Sequence, residues 1–147
     1  MDEARLTLAE QGYDLDRQIG FVLRKAYQRH SQIFFELIGE DLTATQFSIL
    51  FRLLEQGGPI SQNALGRMVA MDAATTKGVI ARLLQRDLVS MRKDEVDRRR
   101  YLIEITQTGR RLVNRLMPRM KRITQETLSP LSPDEAAELL HLLSRIA

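Results

Sequence analysis

Cysteine is absent from the 147 residues. That excludes disulfides and thiolate metal sites, and with them any switch that works by thiol oxidation. Histidine is scarce. His30 and His141 are the two, and neither sits in an HExxH-type cluster, so no metal site and no cofactor are expected. Tryptophan is missing and aromatics reach only 5%, so a core must come from Leu, Ile, Val and Met. Four prolines and eight glycines leave room for long helices. No stretch approaches the ~20 apolar residues of a membrane span. Residues 1–10 are polar and acidic, unlike a secretory signal. The expectation is a cytoplasmic protein with no membrane partner.

What is present suits one domain, or a domain with an extension: 44% of the residues are apolar. The net charge of +3 is unevenly spread. Residues 1–60 carry 6 Lys/Arg against 9 Asp/Glu, residues 61–111 carry 11 against 6, and residues 112–147 carry 5 against 4. The positive excess in the middle is the footprint expected for a phosphate backbone.

That middle segment has a definite pattern. Asp72 is a good N-cap for a helix over 73–86. Thr76, Val79, Ile80 and Leu83 share its inward face. Ala74, Gly78, Ala81 and Gln85 make the opposite face, flanked by Thr75, Lys77 and Arg82. Residues 88–91 and 101–105 read as two strands. Residues 92–100 between them have nothing to bury and should project into solvent. A small-faced helix beside a basic hairpin suits a DNA groove and its neighbouring backbone. A solvated helix with an ordinary charged loop has the same composition.

Residues 14–39 form a long helical pattern with Ile19, Val22, Leu23, Ala26, Tyr27, Ile33, Phe34 and Leu37 in one apolar stripe. Thr43 and Gln46 make a capping box for the next helix, with Phe47, Leu50, Phe51 and Leu54 facing the core. Ile60 can add a short strand. Ser61 caps a helix over 62–69 with Leu65, Met68 and Val69 inward, and Ala70-Met71 turns into the helix at 73. Thr106 can cap a helix over 107–128, with Leu112, Leu116, Met120 and Ile123 in line and a bend at Pro118. Ser132-Pro133-Asp134-Glu135 is a complete helix start. The last helix carries Ala136, Leu139, Leu140, Leu143 and Ile146, and His141 reads as surface.

Several pieces in this order resemble the MarR family of bacterial winged helix-turn-helix regulators. They are Leu42-Thr43-x-x-Gln46-Phe47-x-x-Leu50, Ile60-Ser61-Gln62-x-x-Leu65, Asp72-x-x-Thr75, Arg82-Leu83, Leu88-Val89, Asp97-x-Arg99 and Ile105-Thr106-x-x-Gly109. Gly78 departs from the polar or basic residue usual there, and Asp87 from a usual glycine. The resemblance implies a mainly α fold of about six helices with a small β-hairpin wing. It divides the chain into 42–111, the winged helix-turn-helix, and 1–41 with 112–147, whose helices form a homodimer. Such a dimer would bind double-stranded DNA at a pseudo-palindromic operator.

DNA contacts are then expected from Ser61, Gln62, Thr75, Lys77, Arg82, Asp97, Arg98 and Arg99. Arg99 matches the family's minor-groove arginine, and Asp97 can hold its guanidinium. No catalytic arrangement falls at matching positions, so an enzyme is not expected. In the family, small molecules bind between the first helix and the winged module. Arg24, Tyr27 and His30 rise along one ridge of that helix, with Arg17 two turns before Arg24. Arginine, imidazole and an aromatic ring suit an aromatic carboxylic acid or its thioester. A core or dimer-interface histidine is the other reading of His30. The expected function is a repressor of a catabolic operon, released by such an effector. The alternatives are a multidrug or stress regulator with a loose apolar pocket, or a winged-helix protein-interaction module.

Overall fold

Short capped segments separated by left-handed turns divide this chain. The structure, a computed structural model, describes residues 6–147. Of the acidic opening stretch, residues 1–5 lie outside the described residues. The order is α1 (Leu8–Gln11), a 3-10 turn (Leu15–Arg17), α2 (Ile19–Ile38), α3 (Ala44–Gln56), β1 (Ile60–Ser61), α4 (Gln62–Met68), α5 (Ala73–Gln85), β2 (Val89–Lys93), β3 (Tyr101–Ile105), α6 (Gln107–Thr127) and α7 (Pro133–Ile146). The six longer helices, α2 to α7, are those expected; α1 is a single capped turn.

The described residues fall into two units. One takes the residues up to Ile33 with Glu126–Ala147, the other Phe34–Gln125. The second holds the core. Ile49, Leu50 and Leu53 of α3, with Leu65, Ile80, Leu83, Ile103, Val113 and Leu116, are all essentially without solvent contact. Its sheet is antiparallel in the order β1-β3-β2, with Ile60 opposite Ile103 and Val89 opposite Ile105. In the first unit no described apolar residue is buried; Ile19, Val22, Leu23, Leu140 and Ile146 are all exposed.

Local chemistry explains the boundaries. Capping boxes start α3 (Thr43 with Gln46) and α7 (Ser132 with Glu135), while Ser61 caps α4 and Asp72 caps α5. Asp87 has φ +57°, so an aspartate takes the left-handed turn after α5 in place of glycine. Thr106 Oγ1 donates to the Asp87 carbonyl (2.7 Å) and accepts from the Gly109 N–H (3.0 Å). It thereby ties the exit of the hairpin to its entry. Gly109 permits that closeness: a Cβ there would collide with the Leu88 carbonyl oxygen and lie 2.8 Å from Ile105 Cγ1.

Four details differ from the sequence expectations. The first long helix starts at Ile19 rather than at 14. Asp14 accepts the Asp16 N–H and Gln18 turns extended, so Arg17 ends a separate 3-10 turn. The core face of α3 is Gln46, Ile49, Leu50 and Leu53, while Phe47 and Phe51 stack half-buried at its edge with ring centroids 5.8 Å apart. The face is rotated because the helix packs aliphatic side chains inward and leaves the aromatics at the margin. Met68 is 40% exposed, and Gly66 takes the inward position instead. Packing there is too close for a side chain, since a Cβ on Gly66 would lie 2.7 Å from Thr76 Oγ1. Finally, β2 runs on to Lys93, so the projecting tip is shorter than 92–100.

Candidate nucleic-acid interface

α4 and α5 form a helix-turn-helix. Ala70 takes the turn at φ +55°, and the Met71 N–H donates to the Gly66 carbonyl at 2.9 Å. Asp72 then starts α5 by accepting the Thr75 N–H at 2.7 Å. Hydrogen bonding from Thr75, backbone first and side chain second, holds the Asp72 carboxyl below its ordinary value. Thr76, Ile80 and Leu83 are buried, which turns Ala74, Gly78, Ala81 and Gln85 to solvent as expected. Thr75, Lys77 and Arg82 flank that bare face and are exposed. Apart from its own helix, no described residue lies within 4 Å of a Cβ built on Gly78.

The wing is the β2–β3 hairpin. Its tip is closed by the Asp94 N–H to the Arg100 carbonyl and the Arg100 N–H to the Asp97 carbonyl, both 2.9 Å. Asp97 Oδ1 accepts the Arg99 backbone N–H and its Nε–H, each at 3.1 Å. The bond from the Arg99 side chain, then that from its backbone, lowers the Asp97 carboxyl from its usual value. Asp97 therefore holds Arg99, whose side chain stays 92% exposed. A pair this open contributes little to stability; its consequence is the direction in which the guanidinium points. Arg98 is exposed beside it.

Ser61 and Gln62 are half-buried at the start of α4, where Ser61 Oγ accepts the Ala64 N–H at 3.3 Å. They border a groove of about 400 Å³ between α4 and the tip of the wing, which Arg67, Arg99 and Arg100 also line. The structure thus brings Ser61, Gln62 and Arg99 to one groove. Thr75, Lys77 and Arg82 lie on α5, away from that groove's lining. Arg67 and Arg100 were not singled out as contacts in the sequence, although Arg100 adjoins Arg99 in the basic run at residues 98–100.

The other named residues lie in the first unit. Arg24 and Tyr27 are exposed on α2, and His30 is half-buried with its ring 6.1 Å from that of Tyr27. His30 Nδ1 is 2.9 Å from Thr127 Oγ1. Arg17 is off this ridge because it belongs to the separate 3-10 turn. Arg29, not anticipated, donates to the Thr127 carbonyl at 2.6 Å and to the Glu126 carbonyl at 2.9 Å, capping the end of α6. No sequence signal marks it, because its acceptors are backbone carbonyls nearly a hundred residues away. Among the described residues no cluster of His, Asp or Glu could hold a metal ion, and no helix is long and apolar enough to cross a membrane.

Known proteins share this fold. A model of the MarR family matches residues 42–101. The HTH-type transcriptional repressor NicR of Pseudomonas putida is 37% identical over 91% of this chain and 85% of its own length. The crystal structure of a probable transcriptional regulator from Pseudomonas aeruginosa superposes with TM-score 0.87 at 44% identity, covering 91% of this chain and all of that one. The structure of BpsR from Bordetella bronchiseptica, whose DNA binding is regulated by 6-hydroxynicotinic acid, gives TM-score 0.87 at 40% identity over 91% and 96% of the two chains.

Proposed function

Since the chain belongs to the MarR family of winged helix-turn-helix transcriptional regulators, we propose that it is a cytoplasmic repressor of an operon for aromatic-acid breakdown, released from DNA by an aromatic acid. The observation that carries the DNA half is the pairing, in one unit, of a bare outer face on α5 with an arginine held out by Asp97 on the wing. Thr75 and Lys77 reach base edges or phosphates from α5, and Arg82 takes a phosphate. Ser61 and Gln62 meet the backbone at the start of α4. Arg99 enters the minor groove and Arg98 holds a phosphate.

Functionally, residues 42–111 are the DNA-binding part, and 1–41 with 112–147 the dimerisation part. The uncovered apolar side chains of α2 and α7 supply the contact between two copies. The two-fold dimer sets two copies of α5 on one face of a pseudo-palindromic operator.

The effector reading draws on similarity to BpsR, which responds to 6-hydroxynicotinic acid, and on the side chains of α2. Arg24 forks to a carboxylate, while His30 and Tyr27 meet the ring and its oxygen; Arg17, on its own turn, is a secondary contact. Thioesters of such acids belong to the same class. The effector favours a dimer in which the two recognition helices are wrongly spaced. A tenfold loss of operator affinity needs a preference of only about 1.4 kcal/mol.

The test is a thermal-shift and operator-release series with nicotinates, hydroxynicotinates, benzoates, hydroxybenzoates, cinnamates and their thioesters. At least one ring carboxylate is expected to stabilise the protein and release DNA. The Arg24→Ala, His30→Ala double variant is expected to lose both effects while still binding operator. Equal responses of wild type and double variant would refute the site.

A further inference from the structure

Ser61 and Gln62 are the DNA contacts at the start of α4, and the outer side of the helix continues past them. Asn63 and Arg67 lie there one helical turn apart, both exposed, so their side chains are neighbours. They border two hollows at once. On one side is a crevice of about 290 Å³ shared with Ala73 and Thr76 of α5. On the other is the groove of about 400 Å³ shared with Arg99 and Arg100 of the wing. No Asp or Glu lines either hollow.

The three arginines of the groove differ in how far they are neutralised. Arg99 is bonded to Asp97, and Arg100 Nε lies 3.8 Å from Asp94 Oδ2. The Arg67 side chain has no hydrogen-bond or ion-pair partner among the described residues. An exposed guanidinium without a partner, between a recognition helix and a wing, is a full positive charge available to an anion. Its planar fork of donors fits phosphate oxygens.

We propose that Asn63 and Arg67 form a phosphate-binding ridge over which the DNA backbone crosses from α5 to the wing. Arg67 holds one phosphate, and the Asn63 amide donates to a neighbouring phosphate oxygen. The ridge fixes the height of α5 above the base pairs and reads no sequence itself. This rests on the DNA-binding reading, to which it adds a specific contact.

The test uses the full chain, DNA from upstream of its own gene and a random duplex of equal length, titrated between about 50 and 300 mM salt. One phosphate contact contributes about 0.9 to the slope of log affinity against log salt. Arg67→Ala is expected to make the slope shallower by that amount per bound protomer and to weaken binding about tenfold at the low-salt end. The ratio of operator to random affinity and the thermal midpoint are expected to stay unchanged. Arg67→Lys, which keeps the charge, should restore most of the slope. An unchanged slope in Arg67→Ala, with wild type still preferring its operator, would place the ridge off the DNA. A changed operator-to-random ratio would make Arg67 a base reader and overturn the assignment in the opposite way. Loss of preference in wild type itself would instead remove the DNA-binding reading on which the ridge depends.

Discussion

At Gly109 and Gly78 the same residue type serves opposite ends. Gly109 is pressed against the Leu88 carbonyl and Ile105, whereas a Cβ on Gly78 meets nothing. Gly109→Ala is therefore expected to cost about 2 kcal/mol through overpacking. Gly78→Ala is expected to gain about 1 kcal/mol, since an exposed helical glycine is poorer than alanine by that much. Urea unfolding of both variants checks the pair; equal effects would mean that the fit at Gly109 is wrong. On the wing, Asp97 holds Arg99 by two 3.1 Å bonds. Arg99→Ala is expected to weaken operator binding and flatten its salt dependence, while Asp97→Asn weakens it less, because the arginine remains but is no longer aimed. The Asp97-x-Arg99 spacing was legible in the sequence, since both partners lie within three positions of one turn. The Arg29 cap on the end of α6 was not, because backbone carbonyls have no sequence signature.

Helix starts were the most readable elements. Thr43 with Gln46, Ser61, Asp72 and Ser132 with Glu135 all cap the helices they were expected to cap. Local side-chain-to-backbone bonding decides a cap, so a short window suffices. Which face of α3 points inward needed the packing partner: two phenylalanines outweighed Ile49 and Leu53 in the sequence pattern, yet the aliphatics fill the core. The extended Gln18 that separates Arg17 from α2 escaped as well, since no glycine or proline among residues 13–19 marks a break. The α5 cap yields a pH test. Asp72 is held below its ordinary carboxyl value by Thr75. Its contribution is complete above the unfolded value, near 3.9, and is lost as pH falls through the lower folded value. Asp72→Asn keeps a capping oxygen without the charge. The wild type should melt above this variant at pH 6, and the gap should narrow as pH is lowered below that unfolded value. A gap independent of pH would mean that the charge on Asp72 does not matter.

Across the whole molecule, burial is lopsided. Every buried apolar residue among those described belongs to Phe34–Gln125, while α7 keeps Leu139, Leu140, Leu142 and Ile146 exposed. The sequence showed these stripes as surplus to the central module, and in one chain they are uncovered; how much of each stripe stays exposed depends on tertiary packing. Removing residues 131–147 is expected to give a monomeric or insoluble chain that no longer binds operator at concentrations where the full chain does. A dimeric truncation in light scattering would contradict a dimer held by the termini. Sequence-specific recognition of DNA is read out by competition titration of the full chain. At about 0.15 M salt, DNA from upstream of its own gene is titrated against a random duplex. A preference of about a thousandfold or more is expected, within the range of specific regulators, with one dimer bound per operator. Equal affinity for the two duplexes would contradict it.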